Sequence, residues 1–550
     1  MQSESMSKPQ GGWPLRFAPG EREARRASGE WPGLTLADRA TERAELQPEV
    51  IAVMDEKGAV DYATCLARAT DVARGLLELG IAPGDTVSFQ LPNWTEAVIL
   101  NLACALGGFV INPVIPIYRQ AELAFILADC RARIAFIPGE WRAVDYAKIY
   151  DELRPDLPDL AHVASVRGSG ELTFDAIEAL GQSVKHPLKA ADPDSAKLII
   201  YTSGTTGLPK GVIYSHNQSR RPLWSSMEAW GLSAGDTLLM PSPVTHVTGY
   251  SYGMEMPFQF GTRSVLMERW DAAKAVEISR REGVDFMIGA TPFLAELVDQ
   301  AGRQGERLPN LRVYGCGGAA VPPALIDRAN RHFVNCRAFR VFGSSECPMV
   351  TQGCLDDTEL AAHSDGRVTD WDVKVVDDAG LPLPAGREGE ILARGPSLFR
   401  GYTDPAATKE SFDGEGYFRT GDLGIVTEDG ILTVTGRKKD IIIRGGENLS
   451  AKEIEDALHT HPAIREAAVV SMPHDRLGEG VCAYVIPAVA VQVPPLAEMT
   501  EFLLDYGLAR QKCPDLFEVV DDLPRTASGK VQKHVLRARI RDLLAAEGTG

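Results

Sequence analysis

No two of the nine cysteines in this 550-residue chain are spaced as CxxC, and no histidines and cysteines cluster at zinc-ligand intervals. That excludes a structural zinc site and a disulfide framework. It fits reduced thiols in a cytoplasmic protein, most of them acting as small buried hydrophobes. Positive charge is scarce: the formal net charge is −18. A field of that sign repels phosphate backbones and argues against non-specific nucleic-acid binding. A signal-peptide core is missing too, since Met1 to Leu34 is polar and carries Arg and Glu. The longest apolar run, "AVILNLACALGGFVINPVIPI" from Ala97 to Ile117, is long enough to span a bilayer. Asn101, Gly107, Gly108, Asn112 and Pro113 interrupt it, so a buried helix turning into a buried strand is expected instead.

What is present is the composition of a large globular protein, 44% hydrophobic and 24% charged. At this length one core cannot serve the whole chain. The first four hundred or so residues alternate helical stretches with short apolar runs such as "LIIY" (Leu198 to Tyr201), "FMIG" (Phe286 to Gly289) and "RVYG" (Arg312 to Gly315). This is the texture of layered α/β structure with largely parallel sheets, whose strand ends carry ligand loops. From about Asp372 short strands with turn signals predict a small β-rich subdomain. The basic cluster "GRKKD" then marks a boundary, and residues 442–550 read as a smaller α+β domain with a basic terminal helix after "PRTASGK".

The densest chemistry lies in "YTSGTTGLPKG", Tyr201 to Gly211, where glycines, hydroxyls and Lys210 share one loop. Glycines expose backbone N–H groups, and Ser203, Thr205 and Thr206 can donate to phosphate oxygens. The nucleotide loop GxxxxGK[ST] opens a helix directly. Here Pro209 precedes the lysine and Gly211 follows it, between two strand-like runs, so the loop is expected to cap a hairpin.

That loop resembles the phosphate loop of the adenylate-forming superfamily, which includes acyl- and aryl-CoA synthetases, adenylation domains of peptide synthetases and firefly luciferase. Further motifs follow in family order, so the resemblance spans Pro92 to Lys530. It implies a large N-terminal adenylation domain (1–436), a hinge (437–441, centred on Lys439) and a mobile C-terminal domain (442–550). It implies that Thr202, Ser203, Gly204, Thr205, Thr206, Gly207 and Lys210 hold ATP phosphates, with Thr205 also near magnesium. "VFGSSE" is similar to the motif whose aromatic residue lies against adenine and whose glutamate binds Mg²⁺. Those roles fall to Phe342 and Glu346, with Gly343, Ser344 and Ser345 between them. Phe342 replaces the commoner tyrosine and Ser345 a threonine. Gly318 and Ala319 of "YGCGGAA" lie beside adenine and the acyl group, Asp422 of "YFRTGDLG" holds the ribose hydroxyls, and Arg437 is a second nucleotide contact. Lys530 is the adenylation lysine. Arg444, Gly445 and Gly446 belong to the loop that replaces it for the thiol step. His246 stands where relatives carry a gate at the acyl entrance.

The implied reaction joins a carboxylate to ATP and then, by displacement of AMP, to coenzyme A. The carboxylate is already ionised at neutral pH, so the demand is for cations rather than a base. The texture looks most like bacterial medium-chain, alicyclic or aryl-CoA ligases. Gly249, Gly289, Ala290, Gly317 and Gly318 are read as leaving space for a bulky acyl group. A carrier protein's phosphopantetheine arm as acceptor, a luciferase-type oxygenase and an inactive nucleotide-binding relative remain open. Homodimers are common among relatives.

Overall fold

The computed structural model describes residues 12–202, 209–318, 321–474, 476–488, 491–526 and 530–547, with side chains to residue 544. The described residues form a mixed α/β structure of four sheets. A six-stranded sheet runs His162–Val166, Ala132–Pro138, Thr86–Phe89, Val110–Pro113, Ala196–Thr202 and Lys210–Ser215. All its pairings are parallel except the last. A seven-stranded sheet runs Arg337–Val341, Val313–Gly317, Phe286–Gly289, Thr237–Met240, Arg263–Leu266, Ile51–Asp55 and Gly58–Asp61, again parallel up to an antiparallel edge. Parallel strands covered on both faces are apolar throughout rather than alternating, which explains runs such as "FMIG".

The apolar run of Ala97 to Ile117 is a helix, Thr95–Gly107, then a strand. Eleven of the helix's residues are buried, Gly108 ends it in the left-handed conformation at φ 71°, and Val110–Pro113 follows. Its N-terminal turn is capped from outside: the Asp55 carboxylate accepts from Thr95 N at 3.0 Å and pairs with Arg167. Burial alone would raise the Asp55 pKa, but these donors hold it below the usual carboxylate range. One apolar core, including Val87, Val53, Val98 and Leu239, is shared by both sheets and this helix. No helix among the described residues is long and apolar enough to cross a membrane.

Strands Ala196–Thr202 and Lys210–Ser215 form the hairpin expected around the glycine-rich loop, with Thr202 opposite Lys210 and Tyr201 opposite Gly211. The second strand enters helix His216–Ala229 without a break. At that junction Ser215 N donates to Gln218 Oε1 at 3.2 Å.

The β-rich texture after Asp372 is a five-stranded antiparallel sheet ordered Gly366–Arg367, Ile431–Arg437, Phe418–Val426, Gly389–Arg394 and Asp372–Val376. A 3₁₀ turn, Lys438–Asp440, separates it from the fourth sheet, which starts at Ile441–Arg444. That sheet is dominated by the long hairpin Ile464–His474 and Gly478–Pro487. Ile454, Leu458, Val469, Val485 and Leu503 form a core on one face. Val470, Cys482, Tyr484, Leu536 and Ile540 form another on the opposite face, under the terminal helix Lys533–Glu547. All nine cysteines are buried and free.

Candidate active site

A cleft of about 1900 Å³ opens where the smaller unit meets the larger one. Phe342, Gly343, Gly318 and Pro209 line it from one side, Asp422, Arg437 and Lys439 from the joint, and Lys530 from the small unit.

Lys530 is held by contacts between the chain segments on either side of residues 527–529. Arg525 and Val531 form an antiparallel bridge, Thr526 N donates to Lys530 O at 2.8 Å, and Lys530 N donates to Thr526 Oγ1 at 3.1 Å. Burial, with the nearby Arg437 and Lys439 charges, brings its ammonium down to about 8. Asp422 and Glu346 work against that fall. The lysine of one unit is thus electrostatically coupled to both carboxylates of the other.

Asp422 is only 4% exposed. Strand register places it opposite Arg437, and the Arg437 Nε–Asp422 Oδ1 distance is 2.7 Å. Its pKa is nonetheless raised, because burial outweighs Arg437 and Lys530. A carboxylate in this position can accept two vicinal hydroxyls while its arginine turns to a neighbouring anion.

The Phe342–Glu346 loop leaves the end of strand Arg337–Val341 and doubles back. Phe342 N donates to Thr351 Oγ1 at 2.8 Å, and Ser344 Oγ accepts from Glu346 N and Cys347 N at 3.2 and 3.3 Å. Gly343 is required here: a Cβ would lie 2.5 Å from Met349 N. Tyr214 donates its hydroxyl to Ser345 O, and Tyr402 donates to Glu346 Oε1 at 2.9 Å. The Lys210 ammonium stands 5.0 Å from the centre of the Tyr402 ring.

His246 is half-buried just before the π-helix Gly249–Glu255, with Nδ1 facing Thr248 N at 3.5 Å. Burial and the Lys530 charge push its pKa down to about 4, so the ring is neutral at physiological pH. The far end of that π-helix is anchored to the hairpin Ala196–Thr202/Lys210–Ser215 by a fully buried ion pair between Glu255 and Lys197.

Lys530, Asp422, Arg437, Phe342, Gly343, Gly318 and Lys439 therefore line one cleft; Glu346 and His246 lie within the field of Lys530, and Lys210 follows the lining residue Pro209. Ser203, Gly204, Thr205, Thr206, Gly207 and Ala319 lie outside the described residues. Arg444, Gly445 and Gly446 are elsewhere. Arg444 pairs with Asp515 at 2.5 Å and donates to Gln511 O and Cys513 O within the small unit, while the two glycines turn the hairpin Ile441–Arg444/Glu447–Ser450. One expectation is corrected. Glycines 249, 289 and 317 are not spare room: a Cβ would lie 2.1 Å from Pro243 O, 2.9 Å from Phe293 Cδ2 and 2.6 Å from Val341 O, respectively. Close backbone approach at Gly249 and Gly317, and the Phe293 ring at Gly289, occupy that space.

Tyr402 and Tyr214 were missed in the sequence. The only available signal was a tyrosine after Gly401, and its meaning depends on contact with Glu346, 56 positions away.

A single acidic oxygen donor suits a small hard cation such as Mg²⁺, which usually takes one or two protein carboxylates and completes its shell with phosphates and water. Among the described residues no cluster of three or more His, Cys, Asp or Glu offers a self-sufficient metal cage. Glu346, half-buried at the cleft beside Lys530, fits a cation that arrives with a nucleotide.

Residues 40–403 match the family described as AMP-binding enzyme, and residues 453–530 its C-terminal domain. The chain is 36% identical over 534 residues to the medium-chain fatty-acid–CoA ligase of Escherichia coli (strain K12), covering 96% of this chain and 94% of that one. It is 32% identical over 544 residues to the 2,3-dihydroxybenzoate-AMP ligase of Bacillus subtilis (strain 168), covering 97% and 98%. Among solved structures, ATP-bound MatB from Rhodopseudomonas palustris is similar, with a TM-score of 0.80 at 27% identity over 92% of this chain and 99% of that one.

Proposed function

The chain belongs to the AMP-binding enzyme family, and from that premise we propose that it is a carboxylate–CoA ligase that works through an acyl-adenylate. Adenylate formation is the activity of the family. The acceptor, the acid and the roles of individual residues are our reading. Lys530 carries it: a lysine on the smaller unit, its ammonium lowered to about 8, lies within the field of Asp422, Arg437 and Glu346 on the larger.

In this reading the acid's carboxylate attacks the α-phosphorus of ATP and pyrophosphate leaves. Lys530 and Lys210 offset the repulsion between the two anions and stabilise charge as it moves onto phosphate oxygens. Asp422 accepts the ribose hydroxyls, Arg437 reaches the nucleotide, and the Phe342 ring covers adenine. His246, held neutral, borders the acyl entrance without adding a charge that an apolar chain would have to pass. Mg²⁺ held at Glu346 would supply further neutralisation of the phosphates. The thiol of coenzyme A then displaces AMP. A thiol with pKa about 8.5 is only slightly ionised at neutral pH. For this step the small unit turns about 437–441, withdrawing Lys530 and bringing up the loop of Arg444, Gly445 and Gly446. Their present distance from the cleft belongs to the adenylation arrangement.

Free coenzyme A is favoured as acceptor by the similarity to a fatty-acid–CoA ligase. The similarity to an aryl-AMP ligase favours a second reading, with transfer to a carrier protein's thiol. A panel of medium-chain, alicyclic and aromatic acids with ATP, Mg²⁺ and CoA separates them. We expect acid-dependent AMP release with matching thioester. Adenylate that accumulates with CoA untouched gives the second reading, and no acid-dependent AMP release with any member overturns both.

A further inference from the structure

The segment Phe399 to Thr403 lies across two parts of the site that are distant in sequence. It pairs along the hairpin strand Lys210–Ser215: Arg400 N donates to Ile213 O at 2.8 Å, Ile213 N to Gly401 O at 2.9 Å and Thr403 N to Gly211 O at 2.8 Å. Its other attachment is to the glutamate loop, where Phe399 N donates to Glu346 O at 2.9 Å. Gly211 permits the approach, since a Cβ there would lie 2.7 Å from Thr403 Cγ2. At its centre is Tyr402, 4% exposed, its ring 4.8 Å from that of Phe399. One hydroxyl and one ring face serve two partners: the hydroxyl donates to Glu346 Oε1, and the Lys210 ammonium faces the ring.

We propose that Tyr402 is a positioning residue that sets the glutamate and the lysine at their separation for a metal-bound nucleotide. The inference rests on the reading of Glu346 as the cation-binding residue. An ionised carboxylate only accepts hydrogen bonds, so a phenol donor at Oε1 fixes its rotation and leaves Oε2 to meet the cation. Without that donor the carboxylate turns freely and Oε2 is no longer presented to the cation. Outer partners of metal-ligating groups change metal affinity by about 10- to 100-fold. The ring face keeps the ammonium beside the carboxylate without an ion pair that would consume both charges.

Calorimetric titration with ATP, once with Mg²⁺ and once with EDTA, tests this by a binding readout independent of turnover. The ratio of the two affinities is the enhancement due to the metal. Tyr402→Phe keeps the ring and its packing, so melting and affinity in EDTA should match the parent. The enhancement should fall on the order of ten-fold. Glu346→Gln should remove most of it. Tyr402→Leu removes the ring as well and should also weaken binding in EDTA, where Lys210 meets the phosphates alone. If Glu346→Gln loses the enhancement while Tyr402→Phe retains it, the positioning role is wrong and the glutamate reading stands. If Glu346→Gln retains it, the glutamate reading fails, and this inference with it. If Tyr402→Leu binds ATP in EDTA as Tyr402→Phe does, the role toward Lys210 is overturned.

Discussion

Asp422 and Arg437 face each other across adjacent antiparallel strands, and their side chains close to 2.7 Å at the mouth of the cleft. The register that makes them partners also holds both side by side at the cleft, and in the proposed function the pair is a matched contact for a nucleotide. Asp422→Asn should raise KM for ATP while leaving KM for the acid nearly unchanged. A double-mutant cycle with Arg437→Ala, read as ATP affinity, should show coupling of about 0.5–3 kcal/mol. Strict additivity would mean that the two do not act as a unit.

Replacing Lys530 separates the half-reactions. Lys530→Ala should slow acyl-AMP formation on the order of a hundred-fold or more, measured as acid-dependent pyrophosphate exchange. Thioester formation from supplied acyl-AMP should be largely spared. Equal loss in both assays would remove the case for alternation.

The same lysine sets a pH limit. A free lysine stays protonated to about 10.4, whereas Lys530 loses its proton near 8 because burial and the cations around it disfavour the charged form. In the proposed function the charged form is the active one, so acyl-AMP formation should fall as pH rises through about 8. In Lys530→Arg the guanidinium stays charged, and that limb should vanish from whatever activity remains.

Sequence and structure agree best where the information is local. The strands "LIIY" and "FMIG", the hairpin implied by Pro209 and Gly211, and the helix-then-strand in the apolar run are written in neighbouring residues. Texture also marked the change to antiparallel hairpins after Asp372. Features created by contact between distant segments were not legible. Gly249, Gly289 and Gly317 looked like vacancies because a sequence cannot show the atoms filling the space beside them. Arg444 read as a loop cation because Asp515, its partner, is 71 residues away. Tyr402 acquires meaning only when the segment Phe399 to Thr403 lies against Lys210–Ser215.

The buried Lys197–Glu255 pair gives a stability test away from the chemistry. Leaving either charge alone in that interior should cost about 3–5 kcal/mol, so Glu255→Gln and Lys197→Met should each lower the urea midpoint strongly. The double replacement should recover much of the loss. Independent, additive losses would show that the two charges do not depend on each other.

Gly343→Ala places a methyl group 2.5 Å from Met349 N, where backbone must yield. Strain of about 1–3 kcal/mol is expected in denaturant unfolding. KM for ATP should rise with it, because the displaced loop carries Phe342 and Glu346. An unchanged KM would show that the loop tolerates a shift without moving those side chains.

The small sheet is covered on both faces, by one core around Ile454 and Val469 and another around Tyr484 and Leu536. A body packed on both faces has little internal freedom, so the rotation proposed for it would carry it as a whole. Lys530 is held by the Arg525–Val531 bridge close to where the terminal helix begins. In the proposed rotation about the turn Lys438–Asp440 it would move as the tip of a stiff lever, so a modest change of backbone angle there is magnified at the ammonium. Accuracy in placing that charge is therefore a property of the whole lever, and packing defects far from the cleft, under Leu536 or Leu458, should blur it.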